Sequence, residues 1–547
     1  MKRIVSAVSI LLVLVLAFTS LAEVTYSDDG SFPICSEPVK LTVGIQDDAL
    51  VEDYETNDLT MKLLEWGNFD LDFVTYASTD YMTKLNTMVM AGGDDLPDVL
   101  FIPTGYENMI YSWALEGAII PVTEYINDPT VSFYYHDAMA RTGVNMTSQI
   151  VSPDGEVYGL PTYNQSYANE VPDKAFYYAP WLEKLGLDVP TTTDELYDVF
   201  EAICTGDPNG NGIADEVAIS GIWGKPDFGV TWFPWLMNSF VYAGDLNYYL
   251  VNDGEISAAY VTDEWREGLK FMRSLFEAGF IPMETLTQDS TAYNALLQSK
   301  CVFMQNQSNP APYSTDPEFA TGYKAFAPMI GPEGVQLGTN RISTASVSFV
   351  ITKNCKNPEA AFRMGDLLLS QTLSITARFG QQGVNWDYLE DTDDPSYYVP
   401  TIEGWDVIFV AYDDPSYWNG GKAQNAAYRQ HGPYVRQYKI SMSGKKPEAI
   451  TPYVRNYAEC YVLYQESDWK CKDIVPKLVY SAEESDLISE KKVALMDYVV
   501  SATASFLAGN TDINDDNAWN AFVEECYNIG LETILEVENE VYTRMYK

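Results

Sequence analysis

Between Asp207 and Glu216 the chain reads DPNGNGIADE, with oxygen-bearing side chains at alternate positions, Asp207, Asn209, Asn211 and Asp215, and a glycine, Gly212, at the sixth. A loop that wraps a hard cation needs this spacing: alternate residues point inward, one backbone carbonyl joins them (here Ile213), and a residue without a Cβ takes the sharp turn. The chemistry implied is calcium held by oxygen. Position twelve, where helix-loop-helix calcium hands carry a bidentate Glu, is Ala218, and the nearest acid is Glu216 at position ten. That departure predicts a structural ion rather than a sensor, the bidentate ligand coming from Glu216 or from a carboxylate elsewhere in the chain. A metal-free Asn/Gly-rich turn is the plainer alternative.

Other chemistries find little to work with. His136 and His431 are the two histidines, and the motifs H-E-x-x-H, C-x-x-C, G-x-S-x-G and G-x-x-x-x-G-K-[ST] do not occur. His431 lies in a Tyr/Arg/Gly-rich segment, which leaves contact with a ligand open, but it reads best as a structural histidine with its hydrogen bonds satisfied. A glycosidase or lyase is the serious enzymatic alternative, because 78 acids leave room for a catalytic carboxylate pair. The net charge of −45 disfavours nucleic acid and anionic membrane surfaces as partners. With 39 Tyr and 12 Trp the chain holds more ring side chains than a core ordinarily needs, and rings with polar tips commonly hold sugars and peptides.

The elements that must position these residues begin after an export signal. Lys2 and Arg3 precede an apolar run from Ile4 to Phe18, and Ser20-Leu21-Ala22 sets a cleavage site after Ala22. No small residue precedes Cys35, the first cysteine, so no lipid-attachment box is expected. Seven cysteines are too few for a disulfide framework. At 547 residues the chain is long enough for two or more domains.

VKLTVGI (Val39 to Ile45) alternates as a strand, Asn57 to Gly67 has helical spacing, Leu71 to Tyr76 is a second strand, Tyr81 to Val89 a helix, and PDVLFI (Pro97 to Ile102) a buried strand. Alternation in units of about 30 residues predicts a parallel sheet flanked by helices. Further on, VYGLP reads as extended, and helices are expected at Ala179 to Leu185, from a Thr192–Asp194 cap to Ile203, at Glu264 to Ala278 and at Pro358 to Ser370. Arg341 to Ile351 reads as a strand, and Ala482 to Lys547 as helices broken at Gly509 to Asp516.

In order along the chain, LNTMVMAGGDDLPDV (85–99), DGEVYGLP (154–161), APWLEKLGLDVPTTTDELYDVF (179–200), the calcium loop, FEAGFIPMETLTQD (276–289), NPEAAFRMGDLLLSQ (357–371), FGQQGVNWDY (379–388) and FVEECYNIGLETILEVENEVYTRM (522–545) resemble the family 1 extracellular solute-binding proteins of bacterial ABC importers. The likeness is to the oligosaccharide- and alginate-binding, LipO-like branch. It implies an α/β fold of two hinge-linked lobes, type II-like, with a solute cleft and extra C-terminal helices. It also implies a monomeric, non-catalytic receptor that captures an oligosaccharide and delivers it to ABC permease subunits, a peptide receptor being the binding alternative. The calcium ligands it implies are Asp207, Asn209, Asn211, the Ile213 carbonyl, Asp215 and Glu216.

Within that picture, residues 23–37 are expected to be a flexible leader, 38–155 with 340–395 the N-terminal lobe, and 156–339 with 396–547 the C-terminal lobe. A sugar offers an apolar C–H face to an aromatic ring and a rim of hydroxyls to polar side chains. Stacking candidates are Trp232, Trp235, Trp386 and Trp418, followed by Tyr163 and Tyr167. Polar candidates are Asn164, Gln165, Gln382, Asn385, Asp387 and Arg429, with Asp47 and Asp80 from the first lobe.

Overall fold

The computed structural model of the chain describes residues 24–165, 170–224, 232–306, 317–392, 408–412, 424–436, 459–460, 463–464, 469 and 471–547. The export signal and its cleavage site lie outside them. In chain order the strands are β1 (Val39–Gln46), β2 (Phe69–Tyr76), β3 (Val99–Phe101), β4 (Leu160–Asn164), β5 (Ala175–Tyr178), β6 (Val217–Ile219), β7 (Tyr249–Asn252), β8 (Glu255–Ala258), β9 (Val302–Asn306), β10 (Tyr323–Phe326), β11 (Ala345–Ile351), β12 (Trp386–Tyr388), β13 (Phe409–Ala411) and β14 (Tyr434–Arg436).

The first lobe is built on a six-stranded sheet ordered β14-β4-β11-β3-β1-β2. β1 buries Val39, Leu41, Val43 and Ile45 in alternation with exposed Lys40 and half-buried Thr42, and the four join Val99, Leu100, Phe101, Phe349 and Val350 in one core. Helices start where the sequence caps them. Asn57 accepts the Thr60 N–H at the head of Asp58–Gly67, and Asp289 accepts that of Ala292 before Ser290–Gln298.

Five of the six strands run the same way, since β1 is parallel to β2 and β3 and β14 is parallel to β4, but β11 is antiparallel to both β3 and β4. The wholly parallel sheet expected from the alternation is therefore a mixed one. β11 starts beside the end of β4 (Ala345 opposite Tyr163) because the chain returns there from the second lobe and must run back down the sheet. Gly159 of VYGLP permits the close approach at the β4–β11 register shift: a Cβ there would lie 2.0 Å from the Phe349 carbonyl oxygen.

The second lobe carries the sheet β10-β5-β9-β6, antiparallel except for the β9–β6 pair. Its core gathers Phe233, Trp265, Phe303 and Met304 with residues of three C-terminal helices, Ala482–Ala508, Asp516–Ile529 and Leu531–Tyr546. A Ser481/Glu484 capping box opens the first of these, and Gly509, at φ +76°, closes it. The chain crosses from β4 to β5 through 165–174 and back through 327–344. The two crossings are tied together by the Arg341 N–H donating to the Glu170 carbonyl at 2.7 Å.

Two expectations are corrected here. Residues 24–37 are docked on the first lobe rather than loose: Cys35 is buried, the Ile34 and Cys35 N–H groups donate to Trp66 and Gly67, and Arg363 donates to the Ser27 carbonyl. Both β4 and β14 belong to the first sheet, although the sequence division put them in the second lobe. β14 joins because it pairs with β4 in parallel across a separation of 272 residues (Tyr434 opposite Thr162). All seven cysteines, Cys460 and Cys471 among them, are unbridged. No helix among the described residues is long and apolar enough to cross a membrane.

Candidate functional site

The upper, C-terminal edge of the six-stranded sheet faces the crossings to the second lobe. In open α/β sheets this edge is where ligands are held, because strand ends and following loops diverge there. Asp47 follows β1, Asp80 follows β2, and Asn164 and Gln165 end β4. The first three are exposed and Gln165 is half-buried. Gln165 donates through Nε2 to Glu170 Oε1 at 3.1 Å and through its backbone to the Arg436 carbonyl, and Ser343 Oγ donates to the same Glu170 oxygen at 3.3 Å. Four polar candidates thus share one edge.

A wall that sequence reasoning missed stands beside them. The loop after β1 is pinned by Tyr54, whose hydroxyl donates to the Gln46 carbonyl and accepts from the Asp48 N–H, both at 2.9 Å. The Glu52 N–H donates to Gln424 Oε1 at 2.7 Å, joining this loop to the segment that carries Asn425 and the helix Ala426–His431. Asn425 donates to the Thr376 carbonyl at 3.1 Å, but its Oδ1 is buried without a partner. His431 is 7% exposed and neither ring nitrogen has a partner, so the satisfied structural histidine expected from the sequence is not what is found. Burial lowers its pKa against the pull of Asp48 and of the nearby Gln430 backbone, which does not reach hydrogen-bond geometry with the ring, and keeps the ring neutral. Asp48 and Asn425 carry no local pattern that would have singled them out, and the Tyr/Arg/Gly-rich setting of His431 was the one signal for this wall.

At the base of the crossings a second polar group is sealed. Asp173 accepts from Thr339 Oγ1 at 2.6 Å, and Thr339 in turn accepts from Asn238. Neighbouring Lys174, fully buried, donates to the Val171 carbonyl, and burial lowers its pKa to about 8.

The stacking candidates are placed otherwise. Trp232, Trp235 and Trp386 are 1%, 2% and 0% exposed, and each indole N–H is used internally, by the Ile222 carbonyl, the Tyr464 hydroxyl and the Gly380 carbonyl respectively. WFPWLM (Trp232–Met237) is buried at every position, because a helix apolar on all sides belongs inside. Tyr163 is likewise core, on β4. With no face open, these four are corrected from ligand platforms to packing residues. Trp418 and Tyr167 lie outside the described residues.

Gln382, Asn385 and Asp387 form their own turn: Gln382 Nε2 donates to Asp387 Oδ1 at 3.2 Å and the Gln381 N–H to Asn385 Oδ1 at 2.9 Å. Gln382 and Asn385 precede β12 and Asp387 lies on it; β12 pairs antiparallel with β13, and Trp386 and Phe409 pack on Ile375. Arg429 lies half-buried on the Ala426–His431 helix.

In the loop 207–216, Asp207 (φ +47°) accepts the N–H groups of Gly210, Asn211 and Gly212 at 2.9–3.1 Å, while Asp215 accepts from the carboxamides of Asn209 and Asn211. Gly210 and Gly212 both take φ +76°, the left-handed conformation glycine tolerates. Glu216 accepts the Asn209 N–H through Oε1, and its other oxygen, Oε2, is buried with no partner. A buried orphan carboxylate oxygen beside two further acids fits a hard cation. Among the described residues no three His, Cys, Asp or Glu side chains converge as a metal cluster, so the loop's carboxamides and carbonyl would have to complete the set. Ala218, at position twelve, is buried on β6 and offers no oxygen from its side chain.

Two α/β lobes crossed by connecting strands, with polar groups on the sheet edge at the crossings, define a two-lobed binding-protein architecture. The model of the bacterial extracellular solute-binding protein family matches residues 65–372, and the chain belongs to that family. Among curated relatives, the fructooligosaccharide ABC transporter substrate-binding protein FusA of Streptococcus pneumoniae serotype 4 is 26% identical over 501 residues, covering 86% of this chain and 84% of FusA. Two solved structures share the fold. An HMO-binding, ABC-transporter-associated solute-binding protein from Bifidobacterium longum infantis has a TM-score of 0.73 at 17% identity and covers 93% of this chain and 99% of its own. An EF-hand mutant of S. pneumoniae FusA in complex with fructo-nystose has a TM-score of 0.66 at 20% identity and covers 92% and 99%.

Proposed function

We propose that this protein is the extracellular receptor of an ABC importer, capturing an oligosaccharide between its lobes and delivering it to membrane permease subunits without altering it. The observation that carries the reading is the sheet edge at the interlobe crossings, where Asp47, Asp80, Asn164 and Gln165 present hydroxyl-binding groups. Membership of a solute-binding family and likeness to a fructooligosaccharide receptor support it. Neutral, hydroxyl-rich solutes also suit a chain of net charge −45, which would repel anionic ones at long range. The receptor acts as a monomer, exported by the signal cleaved after Ala22, with lobes divided near 165–174 and 327–344. Calcium, held by Asp207, Asn209, Asn211, the Ile213 carbonyl, Asp215 and Glu216, staples the second lobe and takes no part in recognition.

The test is calorimetry of the mature chain against kestose, fructo-nystose, human-milk oligosaccharides, alginate oligosaccharides and a peptide set, with reducing ends assayed in parallel. Saturable glycan binding with no new reducing ends is expected. Accumulating reducing ends would replace the receptor with a glycosidase, and peptide binding alone would replace the solute class.

A further inference from the structure

Buried polar atoms are nearly always paired, and each one left alone costs about 1–3 kcal/mol. Near the upper edge of the first sheet several are left alone. His431 lacks a partner on both Nδ1 and Nε2, Asn425 lacks one on Oδ1, and Thr376, whose carbonyl accepts from Asn425, lacks one on Oγ1. All three residues are more than nine-tenths buried. They belong to the helix Gln371–Phe379, which carries Thr376, and to the segment 425–431 packed against it. Leu50 and the Glu52 N–H bring the post-β1 loop onto this segment, by packing on Ala426 and by the hydrogen bond to Gln424.

We infer that His431, with Asn425 six residues before it at the other end of the same helix, is a specificity-determining contact of the solute site, reading hydroxyl groups of the bound glycan. This rests on the receptor reading given above. A neutral imidazole donates from one nitrogen and accepts at the other, on opposite sides of the ring, and a carboxamide oxygen accepts; a sugar hydroxyl both donates and accepts, so hydroxyls on either side can satisfy the ring where an anionic ligand, which only accepts, would serve one nitrogen. The lowered basicity of the buried ring agrees with this, since a protonated ring would donate twice and accept nothing. Both nitrogens are closed to solvent here, so the glycan reaches them only when the groups packed over the ring shift. Groups left unpaired in the free protein and paired in the complex put binding energy where it discriminates. A solute lacking the matching hydroxyl leaves them orphaned, and such sites reject it strongly.

The experiment compares wild type, His431→Leu and His431→Gln by thermal unfolding without ligand and by calorimetry with whichever glycan of the panel the wild type binds best. Leucine removes two orphaned polar atoms at similar bulk. His431→Leu is expected to melt no lower than wild type while losing tenfold or more in affinity, and His431→Gln, which keeps a donor and an acceptor, to recover part of that loss. Affinity of His431→Leu within twofold of wild type overturns the inference while leaving the receptor intact. A lower melting temperature of His431→Leu with unchanged affinity does the same, by making the histidine structural. If His431→Leu fails to fold, His431→Gln and Asn425→Ala decide it alone, unchanged affinity in both overturning it. Wild type that binds no glycan overturns the receptor reading and this inference with it.

Discussion

Lys477→Met is expected to loosen the contact between the first lobe and the C-terminal helices. Residues 471–480 run as a strap past both lobes. The Cys471 carbonyl accepts from Asn340 on the returning crossing, the Asp473 carbonyl from the Val251 N–H on β7, and the Lys477 carbonyl from the Tyr546 hydroxyl, all at 2.7–3.0 Å. From the same residue the ammonium group reaches the first lobe, donating to Glu107 Oε1 at 3.0 Å and to the Ala345 carbonyl at 2.7 Å. The two side chains are 16% and 22% exposed. Burial alone would raise the Glu107 carboxyl, but the Lys477 ammonium and the Ser346 hydroxyl outweigh it and hold the group below its ordinary value.

At 3.0 Å and an effective dielectric of about 20 the Coulomb attraction is about 5 kcal/mol. Desolvation of two mostly buried charges returns much of that, leaving a coupling of roughly 2 kcal/mol, and removing one partner strands the other at roughly 2–3 kcal/mol. For a lobe-sized cooperative unit that is a fall in Tm of roughly 5–10 °C. Scanning calorimetry of Lys477→Met, Glu107→Gln and the double variant closes a thermodynamic cycle. The double variant should melt no lower than Lys477→Met. Strictly additive losses, or a Lys477→Met shift under about 1 °C, would refute the tether.

Asp366 is fully buried and accepts the Tyr134 and Tyr135 N–H groups at 2.9 and 2.7 Å, yet burial raises its carboxyl to about 7. A native pKa above the unfolded one stabilises fully below the unfolded value near 4, and that contribution is lost as pH rises through about 7. Asp366→Asn should therefore melt lower at pH 4 but show a flatter Tm-against-pH curve between 4 and 7; parallel curves would exclude the titration. Excess chelator should lower the Tm of wild type, by an amount equivalent to about 1–3 kcal/mol at millimolar calcium, and leave Glu216→Gln nearly unmoved. Equal shifts in both would remove Glu216 from the metal set. Trp386→Phe should cost about 1–2 kcal/mol, because it leaves the Gly380 carbonyl bare, while glycan affinity stays within twofold. A tenfold loss of affinity would return Trp386 to the cleft.

What was legible in the sequence follows from where the determining forces are local. The helix Ala179–Leu185 has the bounds its periodicity predicts, and Thr193–Gly206 opens on the Thr192 capping box that Glu195 completes. β1 ends within a residue of its alternation. β11 was placed but its direction was not, since direction depends on which lobe the chain arrives from. The tryptophans misled because residue type gives the capacity of a ring to stack and not the side it faces. In TWFPW the unbroken apolar run already spoke for burial.

The same division explains the site. Asp47, Asp80, Asn164 and Gln165 could be found because each stands within a few residues of a strand end that alternation marks, and strand ends are where an α/β sheet meets its ligand. Asn425 could not, and His431 only as the weaker of two readings, because they reach that edge through β14 pairing with β4 from the far end of the chain, and no local spacing encodes such a pairing. Their missing partners are a property of the folded surroundings alone. A sequence therefore displays the groups attached to its own strands, while the opposite wall of the site, supplied by a distant return of the chain, becomes visible only through the polar atoms that folding leaves unsatisfied.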